Sequence, residues 1–135
     1  MLNDMLETLR DIAGDDDTDF MLDLLESYQS TTPHLLADIE AAHSQGEIVT
    51  MGNAAHQLKS SSAMIGCRGF SDQCDALEKA CKTSETDPSN LAALAVAIRQ
   101  MYPAVEAAVE ALIQQLSTPS ATTQPTRRSG FGLNA

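Results

Sequence analysis

From Leu2 to Leu116 the apolar residues return every three or four positions, and only one kind of secondary structure accommodates that spacing. Residues three and four apart share one face of a helix, whereas a half-buried strand needs alternation by two. A short amphipathic helix is predicted from Leu2 to Ile12. Gly14 breaks it, and the run Asp15-Asp16-Asp17-Thr18 offers caps for the next one. That second helix carries Met21, Leu24, Leu25, Tyr28, Thr32, Leu35, Ile39 and Ala42 on one face and ends at Gly46. Pro33 is expected to kink or split it, because a proline ring clashes with the preceding turn. A third seam runs Ile48, Met51, Ala55, Leu58, Ser62 and Ile65, and a fourth Cys67, Phe70, Cys74, Leu77 and Cys81. Asp87-Pro88 reads as a cap with proline at the first helical position. The last seam is then Leu91, Leu94, Ile98, Met101, Val105, Ala108 and Leu112, with a bend expected at Pro103.

Sustained seams joined by short connections predict an all-α fold. The expected form is an antiparallel, up-down four-helix bundle with an additional short N-terminal helix. It occupies residues 1–116 of the 135 as one domain. Residues 117–135 hold almost nothing to bury and read as a disordered tail.

Charge narrows the partners. Eight Lys and Arg stand against nineteen Asp and Glu, a formal charge of -11. Residues 1–40 contain eleven acids and only Arg10 to offset them. Nucleic acid is excluded as a partner, since phosphate backbones demand clustered cations. With no Trp, two Tyr and three Phe, stacking platforms for bases are not expected either. No membrane association is expected, because the longest apolar stretch, Leu91 to Ile98, is far short of the roughly twenty residues a span requires. The acidic first residues do not resemble a secretion signal, and an odd cysteine count of three fits a reduced, cytoplasmic setting. The cysteines fall seven residues apart, about 10 Å along a helix, too far for a shared metal or an intrahelical disulfide. They are expected in the core.

Three histidines remain. His34, after Pro33, is expected to be an exposed or capping residue. His43 completes the spacing Glu40-x-x-His43 found in metal-binding bundles, but such a site needs a second copy, and the chain has none. No metal and no cofactor are expected. His56 lies roughly 130° around its helix from the centre of the seam, so it points outward. Gly52, Asn53, Lys59, Ser60 and Ala63 share that face. An outward imidazole on low relief is open to another protein, and its neutral form keeps one nitrogen free as a nucleophile. Lys59, one turn on, can offset the charge of an accepted phosphoryl group, and the hydroxyl of Ser60 or Ser61 can add a hydrogen bond. Between Gly52 and Ala63 there is one cation and no acid, so an uncharged gap is expected around His56.

The stretch Ala54-Ala55-His56-Gln57-Leu58-Lys59-Ser60-Ser61-Ser62-Ala63-Met64-Ile65-Gly66-Cys67 resembles the signature of histidine-containing phosphotransfer (HPt) domains. That signature runs His-x-Leu-Lys-Gly-Ser-Ser, followed by a Cys and a Leu-Glu pair in the next helix, here Cys74 and Leu77-Glu78. The acidic run Asp15–Asp19, Phe20, the Leu-Leu-Glu-Ser-Tyr segment and Pro-x-Leu-Leu also look like the family, so the resemblance covers residues 2–116. One departure is Ser60, where the family places Gly; access should survive, while partner preference or phosphoryl stability could change.

The resemblance implies that His56 is the phosphoacceptor and that Lys59 steadies the phosphoryl oxygens. It further implies docking over Gly52, Asn53, Gln57, Ser60 and Ala63. The partners it implies are receiver domains of response regulators, a hybrid sensor histidine kinase, or both, with Mg2+ supplied only by the receiver. The chain shows no Gly-rich nucleotide loop, kinase box or receiver sheet, so it is expected to be a stoichiometric carrier without an ATP site, not an enzyme. Its seams are used up within one bundle, which points to a monomer. Two alternatives stand beside this reading: a helical module that regulates a receiver or sensor kinase without being phosphorylated, and, more remotely, a metal-binding bundle.

Overall fold

The computed structural model describes residues 1–14, 16–83 and 87–117. The expected tail falls at residues 118–135, outside the described residues. Five α-helices follow in order: α1 (Leu2–Ala13), α2 (Thr18–Gln45), α3 (Ile48–Met64), α4 (Arg68–Lys82) and α5 (Pro88–Ser117). No strand occurs among the described residues. The all-α bundle with an N-terminal helix is therefore what the chain forms.

The helix ends follow the capping chemistry. The Asp17 side chain accepts from the Phe20 N–H and starts α2. Asp87 does the same for α5 through the Ser89 N–H. At the far end of α2, Gly46 and Glu47 return their N–H groups to His43 and Ala42. Pro33 and Pro103 each lie inside a continuous helix. The split expected at Pro33 does not occur. Both prolines are on exposed positions, and around Pro33 the Thr31 and Thr32 hydroxyls donate to the Ser27 and Tyr28 carbonyls.

The two long helices, α2 and α5, run antiparallel, as the Glu40–Arg99 ion pair and the Gln29–Glu110 hydrogen bond show. At about 1.5 Å per residue they are nearly twice as long as α3 and α4. The α3–α4 hairpin thus covers part of their apolar faces, and α1 covers what extends past its turn. Met5 and Leu9 of α1 are fully buried there, with Met21 and Leu25 of α2 in the same core. The core continues through Met51, Ala55, Leu58, Leu77, Ile98, Val105 and Leu112.

Two seams match the expected ones in most positions and depart from them in a few. In α5 the buried line is Ile98, Tyr102, Val105, Val109 and Leu112, while Met101 and Ala108 are only partly buried. Tyr102 turns inward against Phe70, with ring centroids 6.1 Å apart. In α2, Leu22 is buried where Leu24 was expected, and Ile48 at the start of α3 is exposed. Cys67 and Cys74 are core residues, as expected, and Cys81 is half-buried; all three are free thiols. Burial pushes the first two up to about 11 and about 12, so they remain protonated.

Buried polar atoms also join helices. The Tyr28 and Ser62 hydroxyls hydrogen-bond at 2.8 Å across α2 and α3. Ser71, near the start of α4, donates to the Lys59 carbonyl at 2.9 Å. The third Ser of the Ser60-Ser61-Ser62 run is therefore part of the core.

Gly66 closes α3 at φ 84, and the Gly66 and Cys67 N–H groups return to Ala63 and Ser62. A side chain there would be strained by its backbone and would also meet the Asp4 carbonyl and the Met5 Cα, each at 2.9 Å. Gly66→Ala is expected to cost about 1–3 kcal/mol in urea denaturation and to expose α1 to amide exchange. Gly69→Ala, with open space around it, is expected to be neutral or slightly stabilising. Equal losses in the two variants would contradict this account of the turn.

Candidate functional site

His56 stands on the side of α3 opposite Met51, Ala55, Leu58 and Ser62, all of which are buried. Its side chain is 57% exposed, so the outward placement holds. What shapes its surroundings is the neighbouring helix. At Gly52, one turn before His56, α3 and α4 approach so closely that a Cβ would sit 3.0 Å from the Cys81 Cβ. That approach carries Glu78, one turn before Cys81, up beside the imidazole.

Glu78 is the centre of a charge cluster. Its Oε2 lies 2.9 Å from His56 Nδ1 and 3.0 Å from Lys82 Nζ, and its Oε1 lies 2.7 Å from Lys59 Nζ. Lys59 also reaches Asp75 at 3.2 Å, and Lys79 holds the other Asp75 oxygen at 2.9 Å. The Glu78 side chain is only 6% exposed. Lys59 first, then Lys82, with His56 adding, hold its carboxyl down to about 2 against the opposing effect of desolvation. Asp75 is lowered by Lys79 and Lys59, and Lys59 is raised chiefly by Glu78.

These charges decide which imidazole nitrogen is available. An ionised carboxylate can only accept, so His56 Nδ1 carries the proton and donates to Glu78. The electron pair is left on Nε2. A carboxylate that fixes the tautomer and orientation of an imidazole is the arrangement that prepares a histidine for nucleophilic or proton-transfer chemistry. The hydrogen bond from Ser71 to the Lys59 carbonyl locks α4 to the same turn of α3.

An open cleft of about 540 Å³ lies against this cluster, lined by Val49, Gly52, Asn53, His56, Glu78, Cys81 and Lys82. Asn53, Ser60 and Ala63 are exposed along the His56 side of α3. Gln57 is exposed too, but faces the α2 side, in a second hollow with Thr31, His34, Leu35 and Ser61. The Ser61 hydroxyl donates to the Leu58 carbonyl. Gly52, expected to be exposed on the His56 face, is buried at the α3–α4 contact, where its small size admits Cys81, and it reaches the surface only at the floor of the His56 cleft. The uncharged gap expected around His56 is corrected as well. It describes α3 alone, and α4 fills it with two carboxylates and two lysines.

Glu78, Lys82, Asp75 and Val49 were not picked out as site residues by sequence reasoning. The Leu77-Glu78 pair was noticed only as a marker of the helix that follows. A signal for Lys82 existed, because Glu78 and Lys82 are one turn apart on a single helix face. Val49 is 77% exposed at the cleft, seven residues before His56 and so on its face. Elsewhere, His34 and His43 are exposed, and the Glu40 carboxylate is engaged by Arg99.

The family model described as Hpt domain matches residues 23–118, more than two thirds of the chain. The match takes in α3, α4 and α5 and begins within the second turn of α2; α1 lies before it. No match is found among curated proteins or among solved structures.

The cluster makes stability depend on acid. Glu78 titrates in the folded protein near 2, well below the roughly 4.3 of an unfolded chain, so its contribution is complete above about pH 4.5. It is lost as pH falls from there toward 2, and Asp75, lowered in the same sense, adds to the loss. Urea titrations at pH 7, 5 and 3 should show a falling midpoint below pH 5. Glu78→Gln should be less stable than the parent at pH 7 by about 1–2 kcal/mol and show a shallower decline. A parallel decline in the variant would remove Glu78 as its cause.

Proposed function

This chain belongs to the Hpt domain family, the phosphotransfer modules of two-component signalling, and we propose that it carries its phosphoryl group on His56. The observation that supports this most is the exposed imidazole whose Nδ1 is tied to a buried, ionised carboxylate. It presents Nε2 to the outside with its electron pair free.

The donor in this reading is the phosphorylated aspartate of a receiver domain. Nε2 forms the P–N bond as the P–O bond to the aspartate breaks, and the aspartate leaves as a carboxylate. The Nδ1 proton stays on the ring. Positive charge builds on the ring as Nε2 gives up its electron pair, and Glu78 compensates it from the opposite side. The phosphoryl group then passes to the aspartate of another receiver by the reverse steps. Mg2+ is supplied by the receiver, which also supplies most of the transfer geometry. The chain acts as a stoichiometric carrier, as Hpt modules do, and works as a monomer.

Docking covers the exposed strip of Asn53, His56, Ser60 and Ala63, with Val49 at one end. Ser60, one turn beyond His56 and about 40° around the helix, keeps relief low where the family has Gly. Its hydroxyl adds a polar group beside the incoming phosphoryl. Among the described residues no helix is long and apolar enough to cross a membrane, and the reading needs none.

Incubation with a phosphorylated receiver should label His56 with acid-labile, alkali-stable phosphate, and His56→Gln should carry none. Label that persists in that variant would place the acceptor elsewhere. Ser60→Leu should leave the fold intact and slow transfer at least tenfold, mainly through the concentration of receiver needed for half-maximal rate. Unchanged kinetics would move docking off this strip.

A further inference from the structure

Two lysines neutralise Glu78, and they are held very differently. Lys59 is 29% exposed and lies between two carboxylates, Glu78 and Asp75. Lys82 is 72% exposed, and among the described residues its ion-pair partner is Glu78 alone. Both His56 Nδ1 and Lys82 Nζ contact the same oxygen, Glu78 Oε2, so ammonium and imidazole lie within about 6 Å of each other. Lys82 also lines the cleft into which His56 opens, whereas Lys59 does not.

A phosphoryl group arriving at Nε2 brings a dianion to this edge. A cation can follow it only by leaving its present partners. Lys59 would break two ion pairs on the way, one of them against a buried carboxylate that Lys59 does most to keep ionised. Lys82 would break one, and it pivots from a solvated position. Glu78 meanwhile keeps Lys59 and the Nδ1–H, so no buried charge is stranded.

On the reading that His56 is the phosphoacceptor, we infer that Lys82 is the cation that contacts the phosphoryl oxygens, and that Lys59 is a positioning residue that holds Glu78 under the imidazole. This divides between two lysines what the sequence motif assigns to Lys59 alone.

The test begins without a partner. Phosphoramidate donates a phosphoryl group to an available imidazole nitrogen as its own P–N bond breaks and ammonia leaves. Failure of the parent protein to take up phosphate on His56 by this route and from a receiver would overturn the phosphoacceptor reading itself, separately from the role of Lys82. With the parent labelled, the equilibrium between receiver aspartate and His56 is measured in variants. Lys82→Ala should shift it about five- to tenfold away from His56, the size expected of a charge-assisted contact near solvent. Lys82→Arg should restore most of it. Lys79→Ala, which removes an equal charge from α4, should change it less than twofold.

Ring 15N shifts of the unphosphorylated protein separate the two lysines. Lys59→Ala should raise the share of the tautomer with the proton on Nε2, and Lys82→Ala should leave Nδ1 protonated. The inference is overturned if Lys82→Ala leaves the equilibrium within twofold of the parent. It is equally overturned if Lys82→Ala disturbs the tautomer as much as Lys59→Ala does.

Discussion

The Glu78 carboxylate can be buried against α3 only because three donors meet it there: His56, Lys59 and Lys82. An ionised carboxylate left alone at 6% exposure would be costly enough to protonate or to push the helices apart. Its partners come from both helices, so the cluster forms only when α3 and α4 are in register. Two contacts away from the charges fix that register. Gly52 lets the backbones close at Cys81, and Ser71 ties the start of α4 to the Lys59 carbonyl. The tautomer of His56 is therefore a consequence of how two helices pack. It is set before any partner arrives, which is what a transfer site needs if little is to reorganise during the reaction.

The rest of the bundle supports that short hairpin. A pair of 15- and 17-residue helices would be marginal alone, and α2 and α5 supply the apolar wall behind it. Their extra length leaves an uncovered end, and α1 fills it through Met5 and Leu9 across the Gly66 turn. The family match begins after α1, so the covering helix is an addition to the matched unit. Its role in this fold is nevertheless physical and plain, because it buries apolar surface that the hairpin cannot reach.

The helices and their ends were legible in the sequence because periodicity and capping are local. Asp17, Gly46 and Asp87-Pro88 each act within one turn of their own position. The orientation of His56 was legible for the same reason, since it follows from the angle between one residue and the seam of its own helix. Legibility stopped at contacts between helices. In α5 the expected Leu91, Ile98, Val105 and Leu112 are buried, but Met101 was read for Tyr102, because both are apolar enough to be buried and the Phe70 ring on α4 packs against Tyr102. Gly52 looked like open space for a partner because the sequence does not say that Cys81 faces it. Pro33 looked like a break because the local rule holds, while the buried residues on both sides, Tyr28, Thr32 and Ile39, keep the helix in one piece. Glu78 shows the limit most sharply. It sits 22 positions from His56, and no helical period relates residues on different helices.

Charge balance ties the site to the whole molecule. The chain has a large acidic excess, but the cluster counts three lysines, Lys59, Lys79 and Lys82, against two carboxylates, Asp75 and Glu78. On the reading that His56 is the phosphoacceptor, a phosphoryl group would meet this local balance, slightly positive before transfer. A site with only the α3 residues would have one cation to set against the phosphoryl dianion. On α4 two lysines stand against two carboxylates, so that helix adds no net charge; in the proposed reading what it adds is a solvated cation, Lys82, that can turn from Glu78 to the dianion. In the proposed reading the same local pairing reconciles an acidic chain with a surface that takes an anion: eleven of the acids lie in residues 1–40, and the hairpin carries its own counter-charge.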